Sequence, residues 1–167
     1  MADGLWTLFD RGGSLLWVIL ALSCLLWTLI LERLDFLRRL WPRLHCRILQ
    51  NWRPPMKPAV AERKRQAVLL QAEVRLAAPL VLIDALTQAL PLLGLLGTVT
   101  GMIKVFDVLT VFGTANARAM AAGISEALIT TLAGLVTALS GLWLASYLRQ
   151  RARAERDRLA LELSGED

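Results

Sequence analysis

The chain has 167 residues, 56% of them hydrophobic, and a mean hydropathy of +0.51. It also carries 19 basic and 14 acidic residues, which give a net charge of +5. A soluble domain has too little interior for so much apolar surface, whereas a disordered chain lacks such surface. The composition therefore disfavours a soluble enzyme, a secreted disulfide scaffold and a collagen-like fibre. It favours a small membrane protein whose charges are separated from its apolar segments.

The sequence does not indicate a metal site, a cofactor or a catalytic centre. Cys24 lies in an apolar run, and Cys46 lies beside His45 in a basic stretch. One histidine with two distant cysteines predicts neither a zinc site nor a disulfide. The chain also has no nucleophile–base arrangement, no phosphate-binding glycine loop and no redox motif. We therefore expect no enzyme activity, no metal and no cofactor.

Three apolar runs predict an all-α membrane protein with three transmembrane helices. The first run, 15–31, has no charged residue. The second, 77–103, has Asp84 as its one charged residue, and the third, 119–148, has Glu126. Each run is long enough for a helix to cross the ~30 Å hydrocarbon core. The first run is followed by charged residues and not by a small-residue cleavage site, so we expect a retained anchor.

The basic residues predict the orientation of these helices. Eleven of the 19 lie in 32–76 and five in 149–167. Because basic loops stay in the cytoplasm, these two segments are predicted to be cytoplasmic. The N-terminal segment 1–14 and the short loop 104–118 are then predicted to lie on the outer side of the membrane. The basic charge is explained by a solvated face next to anionic lipid and needs no nucleic acid.

The cytoplasmic segment is predicted to contain a broken part and a helical part. The stretch 41–58 contains four prolines, so we expect it to be irregular or broken in places. The stretch 59–78 has good helix formers and no glycine. It is predicted to continue into the second span as one long helix that Pro79 kinks but does not end.

Small residues form a face on both later spans. Gly94, Gly97 and Gly101 are spaced by three and four residues on the second span. On the third span, a seam at the same spacing includes Gly123, Ala127, Thr131, Gly134, Ala138, Gly141 and Ala145. Such faces allow close helix packing in lipid. The alternative is that the seam forms the wall of a pore or of a channel that a partner helix occupies.

Polar groups inside the spans are the candidate functional residues. A carboxylate such as Glu126 is costly within a span, so it either acts in function or reaches the nearby interface. Asp84 is expected to be an interfacial carboxylate near basic residues, and Lys104 to extend toward the interface. The hydroxyls of Thr98, Thr130 and Thr131 either bond back to their own helix or line a file of water molecules for protons.

Two runs carry a resemblance to a known family. The run PLLGLLGTVTGMIKVF, 91–106, resembles the second-span signature of the ExbB/TolQ/MotA proton-channel family. The run AAGISEALITTLAGLVTAL, 121–139, resembles the third-span signature of that family. Both occur in the family's order, and the resemblance covers residues 77–148. The chain is most similar to short ExbB-type subunits.

The resemblance implies a function and a set of partners. Members of the family are homo-oligomers in the bacterial inner membrane, commonly pentamers, that enclose the transmembrane helices of ExbD or TolR. The partner contributes the aspartate that carries the proton, and proton entry drives motion that energises TonB for uptake of iron chelates and similar cargo. By position, Thr98 and Thr131 are implied to line the lumen, with Glu126 near the proton route. Thr130 is a neighbour that the family pattern often lacks, which leaves the choice between the two threonines open.

Three interpretations remain at this stage. The leading one is a subunit of a TonB-energising motor. A TolQ-like subunit of the Tol–Pal envelope system is similar, and a non-conducting membrane scaffold is an alternative of another class. Many relatives have a proline where this chain has Ser140, so we expect a straighter third helix here.

Overall fold

The protein is described by a computed structural model over residues 2–52, 58–113 and 116–164, with backbone alone for 2–12, 58 and 59. These residues form four α-helices and one short π-helical segment. The elements are α1 (Ala2–Asp35), the π-helical segment (Phe36–Leu40), α2 (Trp41–Asn51), α3 (Pro58–Phe112) and α4 (Ala117–Ser164). The prediction of an all-α fold is confirmed.

Three helices are long and apolar enough to cross a membrane, as the sequence predicted. They lie within Gly13–Asn51, Val60–Phe112 and Ala117–Ser164. Many large apolar side chains on them are exposed, including Leu92, Val136, Leu139 and Trp143. Water would not tolerate so much apolar surface, whereas lipid or a neighbouring subunit would.

The ends of the helices follow from individual residues. Gly13 interrupts α1 with φ +65°, a conformation that glycine adopts without steric cost. Gly113 has φ +61° directly after the end of α3, which is a common way for a helix to stop. The Asn116 side chain accepts a hydrogen bond from the Ala119 amide at 3.2 Å and so caps the start of α4.

The proline-rich stretch is more helical than the sequence suggested. We expected 41–58 to be irregular or broken in places, yet Trp41–Asn51 is a regular helix with Pro42 in its first turn. Proline is tolerated there because the first amides of a helix have no partner within it. Residues 53–57 lie outside the described part of the chain. Pro79 does not end α3, as predicted.

The chain divides into two compact units, and α1, α3 and α4 contribute to both. The first unit comprises Met1–Trp27 and Ala85–Leu142. Most of the residues that this unit buries on α3 and α4 have small side chains or none: Gly94, Gly97, Gly101, Gly123, Ala127, Thr130, Gly134, Ala138 and Gly141. They recur every three or four residues, so each helix presents one continuous face to its neighbour.

The second unit comprises Thr28–Asp84 and Trp143–Asp167. Its core is built from larger side chains: Ile30, Leu37, Trp41, Leu76, Leu80, Ile83, Leu148, Leu159 and Leu163. The Trp41 indole donates to Glu155 Oε2 at 3.1 Å and stacks on the His45 ring. His45 Nε2 in turn lies 3.4 Å from Glu162 Oε2. Bulky apolar groups and polar contacts between side chains therefore hold this unit together.

Arg33 has an unusual position in the second unit, because this charged residue is only 4% exposed. Its Nη2 atom donates to the backbone carbonyls of Arg75, at 2.7 Å, and of Leu76. Pro79 has no amide proton, so the Arg75 carbonyl four residues earlier lacks the usual helical donor at position 79. Arg33 supplies that missing donor. Burial lowers the pKa of the Arg33 guanidinium, and the adjacent Glu32 carboxylate offsets this in part.

Candidate functional site

The two motif segments pack directly on each other in the first unit. The backbone of Gly94 lies against Thr131, so that a Cβ atom at Gly94 would lie 3.2 Å from Thr131 Cα. A Cβ atom at Gly97 would overlap the Thr130 side chain, and one at Gly101 would lie 2.7 Å from the Ala127 Cβ. Glycine at these three positions therefore allows α3 and α4 to approach at backbone distance.

The third-span glycines make equally close contacts. A Cβ atom at Gly134 would lie 2.7 Å from the Leu90 carbonyl oxygen. One at Gly141 would lie 2.8 Å from Leu26 Cδ2 of α1. In this chain the small-residue faces thus contact helices of the same chain.

Thr130 and Thr131 both lie at the contact between α3 and α4, but they play different parts. Thr130 is almost fully buried, and its hydroxyl donates within α4 to the carbonyls of Glu126 and Ala127. Thr131 is partly exposed, and its hydroxyl reaches the Gly94 carbonyl of α3 at 3.0 Å as well as the Ala127 carbonyl at 3.1 Å. The sequence placed Thr131 on the small-residue seam of α4. In the structure, the adjacent Thr130 is the more deeply buried of the two residues.

Thr98 lies on α3 and is partly exposed. Its hydroxyl donates back to the Leu95 carbonyl at 2.6 Å, and Thr100 makes the same kind of bond to the Gly97 carbonyl at 3.1 Å. A hydroxyl that donates in this way keeps its oxygen lone pairs available as acceptors. Thr98 can therefore still accept a hydrogen bond from a group on the exposed side of α3.

Glu126 forms an ion pair with Lys104. Lys104 Nζ lies 2.6 Å from Oε1 and 2.8 Å from Oε2 of Glu126, and it bridges α3 and α4. The Glu126 side chain is only 17% exposed, whereas that of Lys104 is 55% exposed. Glu126 also lies against Gly13, where any Cβ atom would overlap its carboxylate. All three helices of the first unit therefore meet at this carboxylate.

The sequence did not indicate this environment of Glu126. Lys104 was expected to extend to the interface, and no pairing with Glu126 was predicted. Gly13 was assigned to the segment before the first span, with no role. The spacing within one helix cannot show which residue of another helix faces it. The sequence feature that could have indicated the pair is Lys104 itself, a single basic residue at the end of the second apolar run.

Asp84 lies in the second unit, where it accepts a hydrogen bond from Arg149 Nη1 at 2.6 Å. This agrees with the expectation of a carboxylate near basic residues. Among the described residues, no group of three or more His, Cys, Asp or Glu side chains could hold a metal ion.

The site as a whole combines a paired carboxylate with hydroxyls on a close helix contact. The arrangement contains no nucleophile next to a base. It can orient hydrogen bonds and hold helices in register, and the exposed side of Thr98 can meet a polar group from another chain.

Comparison with known proteins identifies the relatives of this chain. It matches the MotA/TolQ/ExbB proton channel family over residues 43–160. It is 30% identical to the biopolymer transport protein ExbB-like 3 of Synechocystis, over 91% of this chain and 90% of that protein.

Two further relatives match over a shorter part of the chain. ExbB-like 1 of Synechocystis is 48% identical over 36% of this chain and 25% of its own length. The ExbB homolog of Methanothermobacter thermautotrophicus is 43% identical over 44% of this chain and 26% of its own length. No solved structure matches the chain significantly. The two motif segments, the three apolar helices and these relatives agree, and the chain belongs to the MotA/TolQ/ExbB proton channel family as a multi-pass membrane protein.

Proposed function

We propose that the protein is the ExbB-type subunit of an inner-membrane motor that uses the proton motive force. In this proposal it forms a homo-oligomer, a pentamer, around the transmembrane helices of an ExbD-like partner. The motor energises a TonB-like protein for uptake of iron chelates or similar cargo through the outer membrane. The basic segments 32–76 and 149–167 face the cytoplasm, whereas 1–14 and 104–118 face the periplasm.

One observation carries the proposal: both carboxylates within the predicted spans already have a basic partner in the same chain. Glu126 pairs with Lys104, and Asp84 pairs with Arg149. The oxygens of both carboxylates are thus engaged by a charged side chain of the same chain, at 2.6 Å in each pair. This supports a pathway in which the carrier carboxylate comes from the partner and this chain supplies the polar wall. Thr98, Glu126 and Thr131, with Thr130, are the proposed wall residues.

The energy available suits such a motor. One proton that moves through 100 mV releases about 2.3 kcal/mol, so several protons per cycle can drive a mechanical step. Three helices of one chain are too few to surround a partner helix, and therefore the proposal requires an oligomer.

A non-conducting scaffold is the second candidate, and a specific observation favours it. The hydroxyls of Thr98, Thr130 and Thr131 all donate to backbone carbonyls, as they would in a helix bundle without a pathway. The TolQ-like reading belongs to the same class as the motor. It differs in the phenotype of a deletion, which would be an envelope-division defect and not a loss of cargo uptake.

The test is a threonine substitution in cells that rely on this protein as their ExbB-type subunit. Thr98→Val removes the hydroxyl and keeps the shape of the side chain. We expect it to abolish cargo uptake while the amount of protein in the membrane, measured by immunoblot, stays unchanged. Thr100→Val is the matched control, because Thr100 makes the same backbone bond two residues away.

The two candidates give opposite results in this test. In a scaffold, Thr98→Val and Thr100→Val would have the same small effect, and uptake would persist in both. Native mass spectrometry of the detergent-extracted protein provides a second measurement. The motor predicts a ring with five times the chain mass of 18.5 kDa, and a stable monomer would contradict it.

A further inference from the structure

A groove of about 260 Å³ lies between α3 and α4 within the second unit. Its base is apolar and includes the buried side chains of Leu76, Leu80 and Ala152. Its rim carries three arginines of α4: Arg149, Arg153 and Arg156. These arginines are spaced by four and three residues, so they lie on one face of the helix. The groove thus combines an apolar surface with three guanidinium groups.

Two of the arginines are paired across the groove and the third is not. Arg149 pairs with Asp84 at 2.6 Å, and Arg156 lies 3.3 Å from Glu73 Oε2. Arg153 lies between them in sequence and is exposed. Within the described part of the chain, Arg153 makes no ion pair. Arg156 also lies 3.3 Å from Asp157 Oδ1, which does not line the groove. Among the residues that do line it, three arginines face two carboxylates, so the lining itself carries one positive charge in excess.

The groove lies where these helices leave their apolar segments. Arg149, Arg153 and Arg156 come one, five and eight residues after Leu148, the last residue of the apolar run. At 1.5 Å per residue, they extend from about 1.5 to 12 Å beyond it. The polar layer on each side of the hydrocarbon core is about 5–8 Å thick. Arg153 therefore falls at the level of phospholipid headgroups.

We propose that this groove is a binding site for one anionic phospholipid. The phosphate group pairs with Arg153, with the neighbouring Arg149 and Arg156 adding to the positive potential. The upper part of an acyl chain lies along Leu80 and the exposed side chain of Val81, which continue from the groove into the apolar run. Basic pockets between transmembrane helices recognise anionic headgroups by this combination of charge and apolar contact.

A phospholipid fits the groove better than a soluble anion does. A soluble phosphate would use the guanidinium groups but would leave the exposed side chain of Val81 uncovered. An acidic peptide would compete with Glu73 and Asp84, which already occupy two of the arginines. The site is independent of proton conduction, so it can be tested whether or not the protein conducts protons.

The experiment measures lipid binding to the full-length protein in an uncharged detergent. Native mass spectrometry records bound phosphatidylglycerol, with phosphatidylcholine of the same acyl chains as the zwitterionic comparison. Arg153→Gln should weaken phosphatidylglycerol binding about fivefold. Arg151→Gln is the matched control, since Arg151 is exposed on the same helix and does not line the groove. We expect it to bind as the unchanged protein does.

A variant that binds phosphatidylglycerol more tightly provides a further test, because misfolding would not increase binding. Glu73→Gln removes the carboxylate near Arg156, so phosphatidylglycerol binding should become about twofold to fivefold tighter. Inorganic phosphate, added in excess over the lipid, should leave phosphatidylglycerol bound.

Four results would overturn the proposal. The first is an equal loss of binding in the Arg151 and Arg153 variants, which would indicate diffuse surface charge. The second is equal binding of the two lipids. The third is displacement of phosphatidylglycerol by inorganic phosphate, which would indicate a site for soluble anions. The fourth is unchanged binding in the Glu73 variant.

Discussion

The two units of this protein use different means to hold the same helices together. In the first unit, α3 and α4 meet through Gly94, Gly97 and Gly134 and through a threonine hydroxyl on a backbone carbonyl. In the second unit, the same two helices meet through Leu76, Leu80 and other large side chains, with ion pairs at the edge. The contact between α3 and α4 thus differs between the two units, although both helices are continuous in sequence.

The difference between the two kinds of helix contact can be understood from the solvent in which each is favourable. Lipid is as apolar as leucine, so burial of a large apolar side chain brings no advantage there, and close approach of backbones provides the attraction. In water, burial of large apolar groups stabilises by about 25 cal/mol per Å², and charged groups remain hydrated at the rim. The small-residue contact between α3 and α4 is therefore the kind of contact that favours helix association in lipid, and the charged groups at the edge of the second unit are the kind that water stabilises.

The largest expected loss of stability comes from a large side chain placed in the small-residue contact between α3 and α4. In Gly134→Leu the Cβ atom alone would lie 2.7 Å from the Leu90 carbonyl oxygen, and the backbone cannot move away without separating α3 from α4. We expect a loss of about 3 kcal/mol in the free energy of unfolding. Equilibrium unfolding in mixed detergent measures it. Ala122→Leu, at an exposed position of the same helix, should cost much less, and an equal cost in both would remove the distinction between the units.

The second effect concerns Arg33 and the carbonyl that Pro79 leaves without a partner. Arg33→Met removes the donor to the Arg75 carbonyl and should cost about 2 kcal/mol, because a buried acceptor loses its hydrogen bond. Arg38→Met, an exposed control, should cost less than about 0.5 kcal/mol.

A double-mutant cycle isolates the cause of the Arg33 effect. In Pro79→Ala, residue 79 gains an amide that can bond the Arg75 carbonyl within α3. Arg33→Met should then cost about 1 kcal/mol less than it does beside the proline. If the cost were the same in both backgrounds, Arg33 would act through packing and not through the carbonyl.

The smallest of these effects is expected at Trp41 in the second unit. Trp41→Phe keeps an aromatic ring but loses the hydrogen bond to Glu155, so unfolding should become easier by about 1 kcal/mol. Glu155→Gln keeps an acceptor oxygen and should cost less than Trp41→Phe. Trp143→Phe is the exposed control. A larger loss in Trp143→Phe than in Trp41→Phe would contradict the account of this core.

The sequence predicted the fold well where one helix could be judged alone. Apolar runs of sufficient length gave three helices, and helix formers around Pro79 gave the long α3. Contacts between helices could not be read in the same way, because they depend on how one helix is rotated against another. The pairing of Lys104 with Glu126 and that of Arg33 with a carbonyl are both of this kind.

The candidate site shows the same limit at the level of a single residue. Thr130 and Thr131 are adjacent, and steps of three or four residues can pass through either of them. Only the rotation of α4 against α3 decides that Thr130 is the more buried and that Thr131 reaches the Gly94 carbonyl. The helix α2 was missed for another reason, since a proline count does not distinguish a first-turn proline from one in the helix interior.

The bond from Arg33 to α3 has a consequence for how this chain can change over evolutionary time. Arg33 contacts backbone carbonyls and not side chains, so residues 75 and 76 can be replaced without loss of the contact. The constraint falls instead on position 33 and on the proline that frees the carbonyl. We therefore expect these two positions to vary together among relatives: a lineage that loses the proline is released from keeping the arginine, although the two residues are far apart in the sequence.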